Sequence, residues 1–161
     1  MFRYDTYESP LGTLWLTGED GVLTGLSFVP VLPEAGLKAP EGEFDPVKQW
    51  LDGYFRGESA AVDFSMELRG TPFQKLIWNL LLNIPYGQTR TYGTLAKEAA
   101  DILGKEKMSS QAVGQAVGRN PVAIIVPCHR VVGAGGKLTG YAYDIETKSW
   151  LLRHEQKREV T

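Results

Sequence analysis

Cys128 is the only cysteine of the chain, and it is followed at once by His129, one of only two histidines. A thiol beside an imidazole is a candidate nucleophile and base. The thiolate is the reactive form, and a neighbouring base or cation raises its population. A second reading of the same pair stands beside this one. Free cysteine is among the most buried residue types and often serves as a small hydrophobe, and adjacent residues on a regular strand face opposite ways. The segment leading in, Val122-Ala123-Ile124-Ile125-Val126, is apolar and rich in β-branched residues, so it is expected to be a buried strand. Pro127 cannot donate to a sheet ladder, so that strand is expected to stop there. The Cys-His pair would then sit at a strand end.

Composition narrows the classes. The 161 residues suit one ordinary domain or two small ones, 43% hydrophobic and 22% charged as in globular proteins. No apolar run approaches a membrane span, and Met1-Phe2-Arg3-Tyr4-Asp5 carries no signal-peptide pattern, so a cytoplasmic protein without a membrane partner is expected. A lone cysteine excludes an intramolecular disulfide and fits a reducing compartment; with two histidines it also argues against a zinc site. The net charge of −2 hides an asymmetry: residues 1–70 hold 5 Lys/Arg against 12 Asp/Glu, and residues 71–161 hold 12 against 7. An anionic partner would favour the second part.

The positioning elements follow from pattern. Phe2 to Tyr7, Leu14 to Thr17 and Val22 to Phe28 read as three strands of an antiparallel meander, with turns at Ser9-Pro10 and Gly18-Glu19-Asp20-Gly21. Residues 30–44 hold three prolines and two glycines and read as a loop. Asp45-Pro46 reads as an N-cap and first turn, with Val47, Trp50, Leu51, Tyr54 and Phe55 on one helical face. Thr71-Pro72-Phe73-Gln74 is a capping box before a helix with the stripe Phe73, Leu76, Ile77, Leu80 and Leu81. Thr91 caps a helix from Tyr92 to about Leu103, which Gly104 ends. A third helix runs from about Ser110 to Val117, and the pair is a helix-turn-helix candidate. Gln111-Ala112-Val113-Gly114-Gln115-Ala116-Val117-Gly118 lacks the long side chains of a major-groove reader. Its glycines cost about 1 kcal/mol each relative to alanine. Either tight helix packing or close approach to an outside surface could offset that. Gly133 to Gly136 is a turn, Leu138 to Tyr143 a loop or short strand, and Asp144 caps a final helix packed by Trp150, Leu151 and Leu152. Residues 156–161 are expected to fray.

Taken together, Ile84-Pro85-Tyr86-Gly87, Thr91-Tyr92-Gly93-Thr94-Leu95-Ala96, Ala112-Val113-Gly114, Arg119-Asn120-Pro121, Pro127-Cys128-His129-Arg130-Val131 and Trp150-Leu151-Leu152-Arg153-His154-Glu155 resemble the O6-alkylguanine-DNA alkyltransferases. The resemblance is close from Thr71 to Glu155 and looser before it. It implies an α+β fold: a small N-terminal sheet-plus-helix domain (residues 1–68) and a mostly helical domain with a helix-turn-helix (residues 69–161). It also implies direct, irreversible transfer of a methyl or small alkyl group from guanine O6, and from thymine O4, to Cys128. In that scheme His129 takes the thiol proton through a water, Glu155 orients the imidazole, and Tyr92 supplies a donor near guanine N3. Asn120 ties the recognition helix to the cysteine segment. Cys128, Val131, Tyr141 and Ala142 would surround a flipped base. Thr91, Tyr92, Ser110, Gln111, Ala112, Gly114, Gln115 and Arg119 would meet double-stranded DNA carrying alkylated bases, through the minor groove and mainly its backbone. No cofactor, metal or obligate protein partner is implied, and the protein would act as a monomer.

Three departures from the family pattern stand out. Gln111 stands where well-known members place an arginine that fills the gap left by the flipped base. Tyr143-Asp144 replaces a common Gly-Gly pair, and the N-terminal zinc ligands of some members have no counterpart. The rival readings are a non-catalytic alkylated-DNA recognition protein, a helix-turn-helix regulator and a cysteine hydrolase. Cys128 argues against the first and the scarcity of base-reading side chains against the second. The hydrolase would turn over repeatedly and need no DNA.

Overall fold

The computed structural model describes residues 2–31, 36–138 and 143–156. The chain forms two compact units, one of residues 1–69 with 121–123, the other of residues 70–120 with 124–161.

In the first unit, β1 (Arg3–Ser9), β2 (Gly12–Glu19) and β3 (Val22–Ser27) form the expected antiparallel meander, with Ser9 opposite Gly12 and Glu19 opposite Val22. Alternation along β2 buries Leu14 and Leu16, which join Leu23 and Leu26 of β3 in the core. The second turn is shorter than its composition suggests, because Gly18 and Glu19 remain in the ladder. The register shifts between Thr17 and Gly18, and a Cβ at Gly18 would lie 2.2 Å from the Val22 carbonyl oxygen. Only glycine fits that bulge.

Helix α1 (Asp45–Phe55) buries Val47, Leu51 and Tyr54. Its N-cap is Phe44, not Asp45: no side chain caps it, and Phe44 is itself a core residue. Asp45 therefore acts in the first turn, where a negative charge suits the helix dipole. Lys48 of α1 pairs with the buried Asp5 of β1 at 2.8 Å, and Tyr7 donates to Asp52 at 2.6 Å, fastening helix to sheet.

The second unit begins with α2 (Pro72–Leu82), capped by the full Thr71–Gln74 box. Its buried residues are Ile77, Trp78 and Leu81, so the inward stripe is centred on Trp78 rather than on Phe73, Leu76 and Leu80. The indole reaches the core because its N–H finds a partner, donating to the Ala116 carbonyl at 2.9 Å. After β4 (Arg90–Thr91), Thr91 caps α3 (Tyr92–Leu103), which ends on Gly104 in the left-handed conformation (φ 67°). Helix α4 (Ser110–Gly118) is capped by Ser109, whose hydroxyl accepts from the Gln111 and Ala112 amides. Ala96, Ala99 and Ala100 of α3 and Val113, Ala116 and Val117 of α4 are buried, and the small side chains allow close helix contact. β5 (Val131–Val132) pairs in parallel with β4, and α5 (Ile145–Gln156) closes the unit. Asp144 caps α5 as expected, accepting from the Thr147 amide at 2.7 Å. The segments 139–142 and 157–161, covering most of the expected loop after Leu138 and the fraying terminus, lie outside the described residues.

The segment before the cysteine corrects the expectation of a strand. Val122 makes a single bridge to Leu26, after which the chain turns through residues 123–125. Ile124 adopts φ 69°, a conformation that costs a β-branched residue about 1–3 kcal/mol. Every residue from Val122 to Val126 is buried all the same. The apolar run reports burial, which a buried turn satisfies as well as a strand does.

Candidate active site

Cys128, His129 and Arg130 form one 3-10 helical turn, closed by the Arg130 amide donating to the Pro127 carbonyl at 3.0 Å. This turn, rather than a strand end, sets the direction of the thiol. It is held on both sides. Before it, the Asn120 side-chain amide donates to the Val126 carbonyl at 2.7 Å, tying the end of α4 to the approach to the cysteine. After it, Val131 and Val132 pair with Arg90 and Thr91, so the first residue of α3, Tyr92, starts where the cysteine turn ends. All three residues of the turn are buried, with Cys128 only 3% exposed.

Glu155 is no solvated helix-end acid: it is 1% exposed and receives four donors. His129 Nε2 lies 2.6 Å from Oε2, Arg130 Nε donates to Oε1 at 2.8 Å and Arg130 Nη2 to Oε2 at 3.1 Å, and the Gly87 amide reaches Oε1 at 3.2 Å. The remaining Arg130 nitrogen, Nη1, donates to the Ile84 carbonyl at 2.7 Å, and the guanidinium lies over the Tyr86 ring. The Ile84-Pro85-Tyr86-Gly87 turn is thus fastened to α5 through one arginine and one carboxylate. Gln156 adds a bond to the Gly87 carbonyl at 2.7 Å.

The charge states follow. Burial pushes the Glu155 carboxyl up, but the hydrogen bonds and charges of His129 and Arg130 outweigh it and bring the pKa to about 2. Burial holds His129 below its ordinary value of 6.5, against the upward pull of Glu155 and with Arg130 and Lys148 adding to the depression. At neutral pH the pair is therefore a carboxylate and a neutral imidazole. A carboxylate only accepts, so Nε2 carries the ring proton and Nδ1 has the lone pair. Nδ1 is buried and has no protein partner among the described residues. Tyr92 is half-buried, and burial together with the charge of Cys128 keeps its phenol protonated.

Of the other expected site residues, Val131 is buried beside the cysteine turn, and Tyr141 and Ala142 lie outside the described residues. Ser110, Gln111, Gln115 and Arg119 are exposed along or just beyond α4, while Ala112, Gly114 and Thr91 are half-buried. The Thr91 hydroxyl is committed to its cap, accepting from the Thr94 amide at 3.0 Å. A Cβ at Gly114 would stand 3.8 Å from the Tyr92 ring, and one at Gly118 would meet nothing within 4 Å. Packing inside the chain therefore does not require glycine at either position. Asp144, one of the two residues standing in place of Gly-Gly, serves as the α5 cap.

Residue reasoning on the sequence missed Arg130 and Lys148. Lys148 is fully buried, with its ammonium 6.0 Å from the centre of the Tyr92 ring. The available signal was spacing: Lys148, Leu151 and Glu155 share one face of α5, and all three are buried.

Comparison with known proteins agrees with this geometry. Residues 72–157 match the family described as 6-O-methylguanine DNA methyltransferase, DNA binding domain, and residues 2–69 match its ribonuclease-like domain. The chain is 46% identical over 161 residues to a methylated-DNA–protein-cysteine methyltransferase of Mycobacterium tuberculosis, covering 98% of this chain and 94% of that one. It is 44% identical over 157 residues to the Methanosarcina acetivorans protein of the same name, covering 94% and 97%. Among solved structures, the M. tuberculosis O6-methylguanine methyltransferase superposes with a TM-score of 0.84 at 45% identity, over 98% of this chain and 94% of that one. A structure of M. tuberculosis OGT in complex with DNA also gives 0.84 at 45% identity, over 97% and 94%. With both parts of the chain matched and a buried Cys-His-Glu constellation in the second, the chain belongs to the 6-O-methylguanine DNA methyltransferase family.

Proposed function

We propose that this protein repairs DNA by moving a methyl or small alkyl group from guanine O6 irreversibly onto Cys128, with thymine O4 as a second substrate. The observation that carries the reading is the Cys128–His129 turn backed by the ionised Glu155. His129 Nδ1, the lone-pair nitrogen, takes the Cys128 proton through a bridging water. The thiolate attacks the alkyl carbon, the S–C bond forms, and the C–O6 bond breaks with its electron pair moving to the guanine. Tyr92, held as a phenol, supplies a proton to the ring near N3. Glu155 and Arg130 keep the imidazole aligned as it becomes charged. The product is a thioether, which no described residue of this site is placed to cleave, so one chain accepts one alkyl group.

The residues from 69 onward would form the acceptor and DNA-binding domain, with residues 1–68 as a separate N-terminal domain. α4 would enter the minor groove on its Gln111, Gly114, Gln115 and Gly118 face. The open space at Gly118 and the uncrowded contact of Gly114 with the Tyr92 ring support this, since a close outside surface is what remains to offset their helical cost. Asn120 would transmit the position of α4 to the cysteine turn. Tyr92, next to Gly114, would mark the edge where a flipped base passes from groove to thiol. None of the described helices is long and apolar enough to cross a membrane.

The test is disappearance of O6-methylguanine from a duplex oligonucleotide incubated with wild type or Cys128→Ala. Wild type should consume it and the alanine variant should bind the same DNA without consuming it. Repair by the alanine variant would refute the assignment of the acceptor.

A further inference from the structure

Among the described residues, two other than glycine hold a positive φ, Asp20 (52°) and Ile124 (69°). Asp20 sits in the turn between β2 and β3, where a short polar side chain tolerates that conformation. A β-branched residue crowds its own backbone there, so the surrounding structure must impose the turn at Ile124. Ile124 is 1% exposed, and fixed points lie on both sides of it. Before it, the Leu26 amide donates to the Pro121 carbonyl at 2.9 Å and the Ala123 amide to the Leu26 carbonyl at 3.0 Å. After it, the Val126 carbonyl accepts two donors, the Asn120 side-chain amide at 2.7 Å and the Cys128 amide at 2.8 Å. The second bond closes an inverse γ-turn on Pro127 (φ −82°, ψ 65°), which leads straight into the cysteine turn.

We propose that Ile124 is a positioning residue for alkyl transfer: its left-handed backbone aims the Val126 carbonyl at both donors and so fixes the direction of the thiol. Relaxing Ile124 to an ordinary φ would rotate the peptide units that follow, and the carbonyl would lose one or both bonds. The cysteine turn would then lose its tie to α4, which runs through Asn120. Glycine and alanine separate this role from packing alone. Neither fills the space of the isoleucine side chain, but only glycine adopts φ 69° at no steric cost. If Ile124 served only to fill the core, alanine, the larger of the two, would be the better replacement.

The inference rests on Cys128 as the acceptor, and it is read in two ways, one of which needs no DNA. The first is single-turnover transfer from an O6-methylguanine duplex by wild type, Ile124→Gly, Ile124→Ala and Ile124→Val. The plateau rate of Ile124→Ala should fall about tenfold, with the duplex concentration at half-saturation unchanged, while Ile124→Gly stays within about threefold of wild type. Ile124→Val keeps the branch at Cβ and should match wild type. The second is hydrogen exchange of the Cys128 amide, which should stay protected in Ile124→Gly and quicken in Ile124→Ala. Transfer by the alanine variant as fast as by the glycine variant, or equal Cys128 protection in the two, would overturn the proposal. A wild type that repairs nothing would sink the repair reading instead, and exchange alone would then decide. Should neither small variant fold, wild type decides. A strong intraresidue amide-to-Hα nuclear Overhauser effect at Ile124 and a protected Cys128 amide are expected, and the absence of either would overturn the proposal.

Discussion

Around Cys128 the chain buries an imidazole, a guanidinium, an ammonium and a carboxylate; on the outward face of α4 it exposes Gln111, Gln115 and Gly118, none of them charged. The two regions lie in one compact unit and differ in every respect that bears on function. The inner one has fixed charge out of water, with Glu155 gripped by four donors. The outer one has room, with no side chain where a Cβ at Gly118 would point. Chemistry on an alkyl carbon needs a defined proton path, which solvent would scramble. Docking on a sequence-independent surface needs close approach, which long side chains would block.

The largest effect is expected from Glu155→Gln, at the centre of the buried cluster. The amide cannot balance the buried Arg130, so stability should fall by about 3–5 kcal/mol. Denaturant unfolding measures this, and alkyl transfer should fall with it. A change below about 1 kcal/mol would mean the pair behaves like a solvated surface pair.

Next in size is the response to acid. His129 is held neutral below its ordinary value of 6.5, so below that value the unfolded chain takes a proton that the folded one refuses. Stability contributed by neutral His129 is therefore full above 6.5 and declines as pH falls. Glu155, lowered from 4.5 to about 2, contributes stability that is full above 4.5 and is lost as pH falls toward 2. Unfolding midpoints measured from neutrality downward should fall in those two successive windows. A flat profile from neutrality to pH 4.5 would contradict the assigned charge states.

Smaller effects are expected on the outward face of α4. Gly114→Ala should stabilise the fold by up to about 1 kcal/mol, since its Cβ has ordinary space, while weakening binding to duplex DNA. Tighter or unchanged DNA binding would show that α4 does not need the room. Gln111→Arg should tighten binding and steepen its salt dependence by about one counterion. Gln111→Ala should slow repair in duplex DNA more than reaction with free alkylguanine, because only the duplex requires flipping. Equal slowing of both would place Gln111 in support of the helix instead.

Local signals in the sequence foretold local structure. The Thr71–Gln74 capping box, the Thr91 cap and the Gly104 stop each depend on residues within four positions, and the structure has all three. The strand expected over Val122–Val126 failed for a reason of scale: an apolar run records burial, and what the backbone does there depends on distant partners such as Leu26. Trp78 went unread in the α2 stripe because its indole needs the Ala116 carbonyl, 38 positions away. The family pattern picked out Cys128, His129 and Glu155, but without it Glu155 has the look of a surface acid. Arg130 and Lys148 were missed on the same ground. Charged residues are rarely buried unless paired, and the partners that pair Arg130 come from positions 84 and 155.

On the proposed mechanism Cys128 accepts one alkyl group and keeps it. Intact-protein mass spectrometry after incubation with excess O6-methylguanine duplex, followed by peptide mapping, tests this directly. The expected result is a single added methyl group per chain, located on Cys128, with consumption of the lesion stopping at one equivalent. Continued consumption beyond one equivalent, or a methyl group found on any other residue, would contradict it.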